Sequence, residues 1–342
     1  MKLSEYKYIL RIIFPIISIA FLLFFISVMY TLATKYYRGV YESFIGGAPS
    51  TGPRKIDIYW ESWNYPACPS DFCSDPLTLT GNTLGEKTTG VILAFSDFTF
   101  MREPVSGNLQ IGGLKDSTGT VMSSTRLKAI INSIHSSGKR VKISCGGSSY
   151  PFYEQYRANP EIISEFIEAT RTYQLDGWDF DIEADGPNNT EAGLAFLEFA
   201  QKLRNGVPLG IELSYCIEST VAQHPEYSLW WPALQGGVTI FDYITIQAYN
   251  ANWSGYAYMD DIIALIKTGW PEFKIVLGMN PGADLSDPPV ILTPTMAKQW
   301  IASTPNIAGY FLWSGNRDTN QRCNSKDTSD EPSGTFIEIL QN

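Results

Sequence analysis

Four carboxylates, Asp176, Asp179, Asp181 and Glu183, fall within the short apolar stretch LDGWDFDIE, Leu175 to Glu183. Side chains alternate faces along a strand, so Asp179, Asp181 and Glu183 share one face and Phe180 and Ile182 the other. Three acids on one face of a buried strand cost free energy unless something uses them. The chemistry open to such a row is proton transfer. Burial and a neighbouring anion both raise a carboxyl pKa, so Glu183 beside Asp181 is suited to stay protonated near neutral pH and act as a general acid. Asp179 and Asp181 are close enough on that face to share a proton and titrate together. Asp176 has the opposite parity and sits at the strand start, which suits a turn or cap better than catalysis.

A strand of this kind needs a scaffold around it. From residue 55 onward, short apolar runs alternate with helical patterns. Strands are expected at Ile56 to Trp60, Val91 to Phe95, Val141 to Ser144, from Asp176, at Ile211 to Tyr215, Tyr243 to Gln247, Ile275 to Met279 and Tyr310 to Trp313. Helices are expected at Arg126 to Ser136, Ile162 to Tyr173, Glu191 to Arg204, Asp260 to Lys267, Pro294 to Ala302 and Phe336 to Leu340. Gly138 is a stop signal, and Thr293 with Pro294 makes an N-cap followed by proline at the first helical position. Eight strands separated by helices predict an α/β chain of (β/α)8 TIM barrel fold over residues 55–342. A doubly wound sheet is the alternative, but no Gly-rich phosphate loop follows the first strand. Barrel active sites lie at the C-terminal strand ends. Glu183, Tyr215, Gln247, Tyr249, Asn250 and Trp313 all fall at or just past such ends.

Composition narrows the partner. The net charge of -10 argues against a phosphate-binding surface and so against nucleic acid. The chain holds 9 Trp, 19 Tyr and 18 Phe, an excess that fits stacking on sugar faces, although most of these rings must be core. Five Cys include Cys68 and Cys73, which flank a short loop and could bridge, and Cys145, which reads as a small buried hydrophobe. No CxxC occurs and His135 and His224 lie far apart, so no metal and no cofactor is expected.

Ile12 to Thr34 is an uncharged apolar run long enough to span a bilayer as a helix. Lys2, Lys7 and Arg11 precede it, which places the N-terminus in the cytoplasm and the remainder outside or in a lumen. The run is longer than the apolar core of a cleaved signal peptide, so a signal anchor is expected over residues 1–35, with secretion after cleavage as the alternative. Residues 36–54 read as a stem, ending in Gly- and Pro-rich linker sequence. The expectation is a single-pass, membrane-anchored monomer.

The acidic strand resembles that of the family 18 glycoside hydrolases, the chitinase family. Their fourth strand carries DGxDxDxE, here DGWDFDIE, and their third carries SxGG, here Ser144-Cys145-Gly146-Gly147. Ile58-Tyr59-Trp60, Leu93-Ala94-Phe95 and Gln247-Ala248-Tyr249-Asn250 look like the plant-type and related bacterial branch. The resemblance covers about residues 55–342. It implies Glu183 as general acid and no second carboxylate as nucleophile, because the substrate's own N-acetyl oxygen takes that part. Asp181 would orient the acetamido N–H, Asp179 would hold Asp181, Ser144 would hydrogen-bond behind, and Tyr249 would donate to the acetamido oxygen. Trp313 would lie under the reacting sugar. Tyr59, Phe95, Gln247, Asn250 and Tyr215 would contact substrate, with Trp253 a weaker candidate. Gly146 and Gly147 would support the third strand. Asn250 stands where other chitinases of the family have Asp, so no charge is assigned to it.

The function expected is an endo-acting chitinase on a polysaccharide of N-acetylglucosamine. About 30 residues separate the seventh strand from the eighth, too few for the α+β domain that deep-cleft chitinases insert there. An endo-β-N-acetylglucosaminidase acting on N-glycans or peptidoglycan uses the same motif, and a lectin could occupy the same barrel. Sequons at Asn188 and Asn252 lie in loops near the proposed active face.

Overall fold

The computed structural model describes residues 54–63, 84–116, 118–183, 190–219, 231–250, 258–280, 293–319 and 335–341. All belong to one unit, Gly52–Asn342. The expected membrane span, the stem up to residue 53, Cys68, Cys73, Cys323, Trp253 and the sequon asparagines lie outside the described residues. Among the described residues no helix is long and apolar enough to cross a membrane.

In chain order the strands are β1 (Lys55–Glu61), β2 (Gly90–Ser96), β3 (Phe100–Arg102), β4 (Leu109–Ile111), β5 (Arg140–Gly147), β6 (Gly177–Ile182), β7 (Glu212–Glu218), β8 (Tyr243–Gln247), β9 (Ile275–Met279) and β10 (Gly309–Leu312). All except β3 and β4 join in a closed parallel barrel, in which β10 pairs back onto β1. Its eight strands are the eight read from the sequence, shifted at the ends by a few residues. β3 and β4 form an antiparallel hairpin between β2 and the first long helix. That hairpin was not expected, because three-residue strands are too short to show a period of two.

The main helices are α1 (Ser124–Ser136), α2 (Tyr153–Ala158), α3 (Ile162–Tyr173), α4 (Thr190–Gly206), α5 (Trp231–Gly237), α6 (Tyr258–Lys267), α7 (Pro294–Ser303), α8 (Gly315–Thr319) and α9 (Thr335–Gln341). Only the short α2, α5 and α8 escaped the sequence pattern. In α3, Ile162, Phe166, Ala169, Thr170 and Tyr173 are buried, the spacing of one helical face. Phe166 packs edge-on against Trp178 of β6 and Phe199 of α4. Full burial of a side chain such as Phe166 is worth about 1.5–3 kcal/mol. As expected, Thr293 caps α7, accepting a hydrogen bond from the Met296 amide at 3.2 Å.

Alternation along each barrel strand sorts residues into two layers. Ile56, Ile58 and Trp60 of β1, Trp178 and Phe180 of β6, and Tyr215 of β7 join the large apolar layer beneath the helices. Tyr59, Ile92, Ala94, Cys216, Val276 and Phe311 form a separate cluster inside the barrel. The other half of the interior is polar. At the base, Lys142 Nζ lies 2.9 Å from Asp57 Oδ2, and Lys55 Nζ lies 2.8 Å from Glu212 Oε2. Asp176 lies below this end of the barrel, accepting the Val141 amide at 2.7 Å and pairing with His135 at 2.8 Å. Its part is structural, tying β6 to β5 and α1.

Candidate active site

β6 presents its acids to the barrel interior because its other face is claimed by the aromatic layer. Phe180 packs against Phe166, Phe196, Phe199 and Phe241. Parallel register then sets the neighbours. Asp179 lies between Ser144 of β5 and Ser214 of β7, and Asp181 between Gly146 and Cys216.

Asp179 is fully buried and accepts three hydroxyls. Tyr59 and Ser144 donate to Oδ2, at 2.6 and 2.7 Å, and Ser214 donates to Oδ1 at 2.6 Å. A carboxylate with three donors is satisfied as an anion. Ser214 was not foreseen, although its strand parity, one residue before Tyr215, is legible once β7 is placed.

Asp181 and Glu183 form the next level up. Gln247 Nε2 donates to Asp181 Oδ1 at 2.8 Å and to Glu183 Oε1 at 2.6 Å. Burial raises the Asp181 pKa well above the usual carboxylate range, and the charges of Glu183 and Asp179 add to the effect. Burial also raises Glu183; the Gln247 amide and a hydrogen bond with Asp181 oppose that rise, and the charge of Glu218 reinforces it. Asp181 and Glu183 are therefore linked to each other, through the shared Gln247 donor and through a hydrogen bond between them. Asp179 acts on Asp181 through its charge, since its own oxygens are taken by hydroxyls. The like-charge support for Glu183 comes from Glu218 at the end of β7 and not from Asp181, whose hydrogen bond works the other way.

A wall of aromatic rings flanks the acids. Trp313, immediately after β10, stacks on Phe95 at 5.4 Å between centroids, and Phe95 stacks on Trp63 at 5.9 Å, both pairs within 26° of parallel. Trp63 is 40% exposed and Phe95 and Trp313 are partly so. Tyr249 sits in a single turn of 3-10 helix after β8, half-buried, with its ring 6.2 Å from Phe311. Asn250 ends that turn, and its side chain lies outside the described part of the structure.

Three residues expected to touch substrate are placed elsewhere. Tyr59 is 1% exposed and lies edge-on against Trp313, so it holds Asp179 instead. Gln247 is 2% exposed, and its amide is spent on the two acids. Tyr215 faces the helices, against Phe196 and Phe241, because it shares the parity of Phe180 and not that of Asp179. Trp63 is the ring that was missed. It follows β1 in sequence with no strand pattern of its own to mark it.

The glycines of the third barrel strand serve close approach. A Cβ on Gly146, whose φ is +115°, would lie 2.0 Å from the Asp181 carbonyl oxygen. A Cβ on Gly147, φ +66°, would lie 2.8 Å from the Phe95 ring. Only glycine lets β5 run this near the acid-bearing strand and the aromatic wall. Cys145 is buried and free, as the sequence suggested. Among the described residues no cluster of His, Cys, Asp and Glu has the makings of a metal site.

Two buried acids with raised pKa values at a strand's C-terminal end, near flat aromatic rings, suit acid catalysis on a sugar linkage, and the barrel puts them on the face where such folds carry their active sites, a combination that fits the class of glycoside hydrolases. Comparison with protein families makes the assignment specific. The model for glycosyl hydrolases family 18 matches residues 55–284, and the chain belongs to that family. No curated protein matches it. Among solved structures it resembles a chitinase from Rhizomucor miehei (16% identity, TM-score 0.57, covering 84% of this chain and 99% of the other). It also resembles a family 18 chitinase from Pseudoalteromonas aurantia (18%, 0.57, 84% and 98%). A third is the family 18 chitinase from Cycas revoluta in complex with (GlcNAc)3 (13%, 0.58, 84% and 98%). At such identities the likeness speaks for the fold.

Proposed function

We propose that this chain is an endo-acting, retaining chitinase that cleaves β-1,4-linked N-acetylglucosamine polymers with the substrate's help. Glu183 gives its proton to the glycosidic oxygen as the bond to the anomeric carbon breaks. The acetamido oxygen of the same sugar attacks that carbon and closes an oxazolinium ring. Asp181 holds the acetamido N–H and balances the cation, and Tyr249 steadies the acetamido oxygen. Water then opens the ring, giving up its proton to Glu183 and restoring the acid. Trp313 carries the reacting sugar, with Phe95 and Trp63 continuing the platform.

The observation that carries this reading is the double donation of Gln247 to Asp181 and Glu183. It ties both acids to one donor and so fixes their side chains relative to each other. The substrate-assisted route is a recognised departure from the two-carboxylate rule. The Cycas relative, solved with (GlcNAc)3, supports the sugar class. Between β9 and β10 lie only residues 280–308, in which α7 takes up ten, so the groove is read as shallow and open to mid-chain binding. The run Ile12 to Thr34 is proposed as the anchor that holds the catalytic domain, a monomer, on the outer or luminal side of a membrane.

The test is Glu183→Gln. Turnover of chitin oligomers should fall by at least about 10³-fold while oligomer binding persists. Retained hydrolysis would overturn the assignment. A panel of chitin oligomers, N-glycans and peptidoglycan fixes the polymer, and release of only disaccharide from one end would sink endo action.

A further inference from the structure

The polar half of the barrel interior continues downward from the acids to the base. Lys142 Nζ, 2% exposed as a residue, lies 2.9 Å from Asp57 Oδ2, 3.7 Å from Glu212 Oε2 and 3.5 Å from Ser214 Oγ. Ser214 Oγ in turn lies 2.6 Å from Asp179 Oδ1. An ammonium has donors only. Set against Ser214, it takes the hydroxyl's acceptor side and directs the hydroxyl proton to Asp179.

We propose that Lys142 is a positioning residue for the acid row: by donating to Ser214 it directs that hydroxyl to Asp179, and so fixes the carboxylate whose charge bears on Asp181 above it. This rests on the catalytic reading given above.

Among the described residues, Lys142 is the cation that touches a hydroxyl partner of Asp179. Asp179 meets Tyr59 from β1, Ser144 from β5 and Ser214 from β7, all neutral donors. Asp181 above it is an acid, and Cys216 beside Asp181 is a thiol whose pKa burial pushes up. β2, β9 and β10 turn Ile92, Val276 and Phe311 inward, which carry no charge. Lys142 itself faces Asp57 and Lys55 from β1 and Glu212 from β7, with the Tyr243 ring of β8 over Lys55. Burial works against its ammonium, but Asp57, Glu212 and Asp179 outweigh that and raise its pKa. It stays charged across the working pH range.

The experiment compares pH profiles of kcat/KM for the full chain on a chromogenic N-acetylchitooligosaccharide, with thermal melts to establish folding. Lys142→Met removes the charge. Asp57→Asn with Lys142→Met removes the charge together with its base partner, so that no buried anion is stranded. Ser214→Ala leaves the base intact and breaks the relay. Without the ammonium the Ser214 hydroxyl is no longer directed at Asp179 and the acids above lose that support, so the acid limb of the profile should move by about one pH unit in the Lys142 variants, and in the same direction in Ser214→Ala. An acid limb that stays at its wild-type pH in the folded variants would overturn the proposal, even if the melting temperature falls. Failure of the catalytic reading is a separate result, seen as full turnover in Glu183→Gln whatever the Lys142 variants do.

Discussion

Gln247 reaches Glu183 Oε1 at 2.6 Å and Asp181 Oδ1 at 2.8 Å with a single nitrogen. An amide nitrogen carries two hydrogens, one for each carboxyl, so one side chain from β8 sets the spacing of Asp181 on β6 and Glu183 just beyond it. That geometry decides how the first prediction runs. Gln247→Leu removes a donor that lowers the Glu183 pKa. The pKa then rises further, and because the acid must be protonated to act, the basic limb of the pH profile should move up. Turnover should also fall on the order of 10²-fold, since neither acid is held in place. A profile whose basic limb moved down, or not at all, would contradict the role.

Gly146 carries the tightest approach in the site, with the Asp181 carbonyl 2.0 Å from where a Cβ would stand and φ at +115°. Gly146→Ala should cost about 3 kcal/mol or more of stability, visible as a lowered urea midpoint. Gly147→Ala meets a ring edge at 2.8 Å, which can swing aside. Its cost should be smaller, with substrate affinity disturbed through Phe95.

Trp63 extends the aromatic wall beyond Phe95. Trp63→Ala should raise KM for long oligomers about fivefold to tenfold, the loss expected of one stacking contact of about 1 kcal/mol, and leave kcat and the KM for the shortest substrates near wild type. Equal effects on short and long oligomers would place Trp63 outside the binding groove.

At the base of the barrel the pH dependence has a definite sign. Burial would raise the Asp57 pKa, but Lys142 and Lys55 outweigh it and hold it well below the usual range. A depressed carboxylate contributes stability above its unfolded value, near pH 4, and loses that contribution as pH falls toward its folded value. Asp57→Asn should therefore cost up to about 3 kcal/mol at neutral pH, where it removes the nearer partner of Lys142 and leaves Glu212 at 3.7 Å, and progressively less in acid. Melting curves from pH 7 down to pH 3 should show the gap between wild type and variant narrowing. A gap that widened in acid would reverse the assignment.

Much of the barrel was legible because its signals are local. A strand's period of two and a helix's period of 3.6 show within a dozen residues, so the eight barrel strands and six of the helices stood out, as did the face shared by Asp179, Asp181 and Glu183. The hairpin of β3 and β4 and the short α2, α5 and α8 were too brief to show a period. Side-chain partners needed more than period. Tyr215 looked like a strand-end residue, yet one step of parity turns it to the helices and brings Ser214 to Asp179.

The sequence by itself determined that the chain folds as alternating strands and helices and carries an acid row of family 18 type on one strand. Both follow from residue order within single elements. Only the tertiary structure decided that Tyr59 and Ser214 hold Asp179, that Gln247 serves the acids, that Trp63 joins the aromatic wall and that Lys142 stands beneath the row. Those depend on the register between strands far apart in sequence and on the closure of the barrel, which brings β1 and β8 to bear on β6. Hydrogen bonds act over about 3 Å, so no amount of local patterning can assign them until the strands are in place.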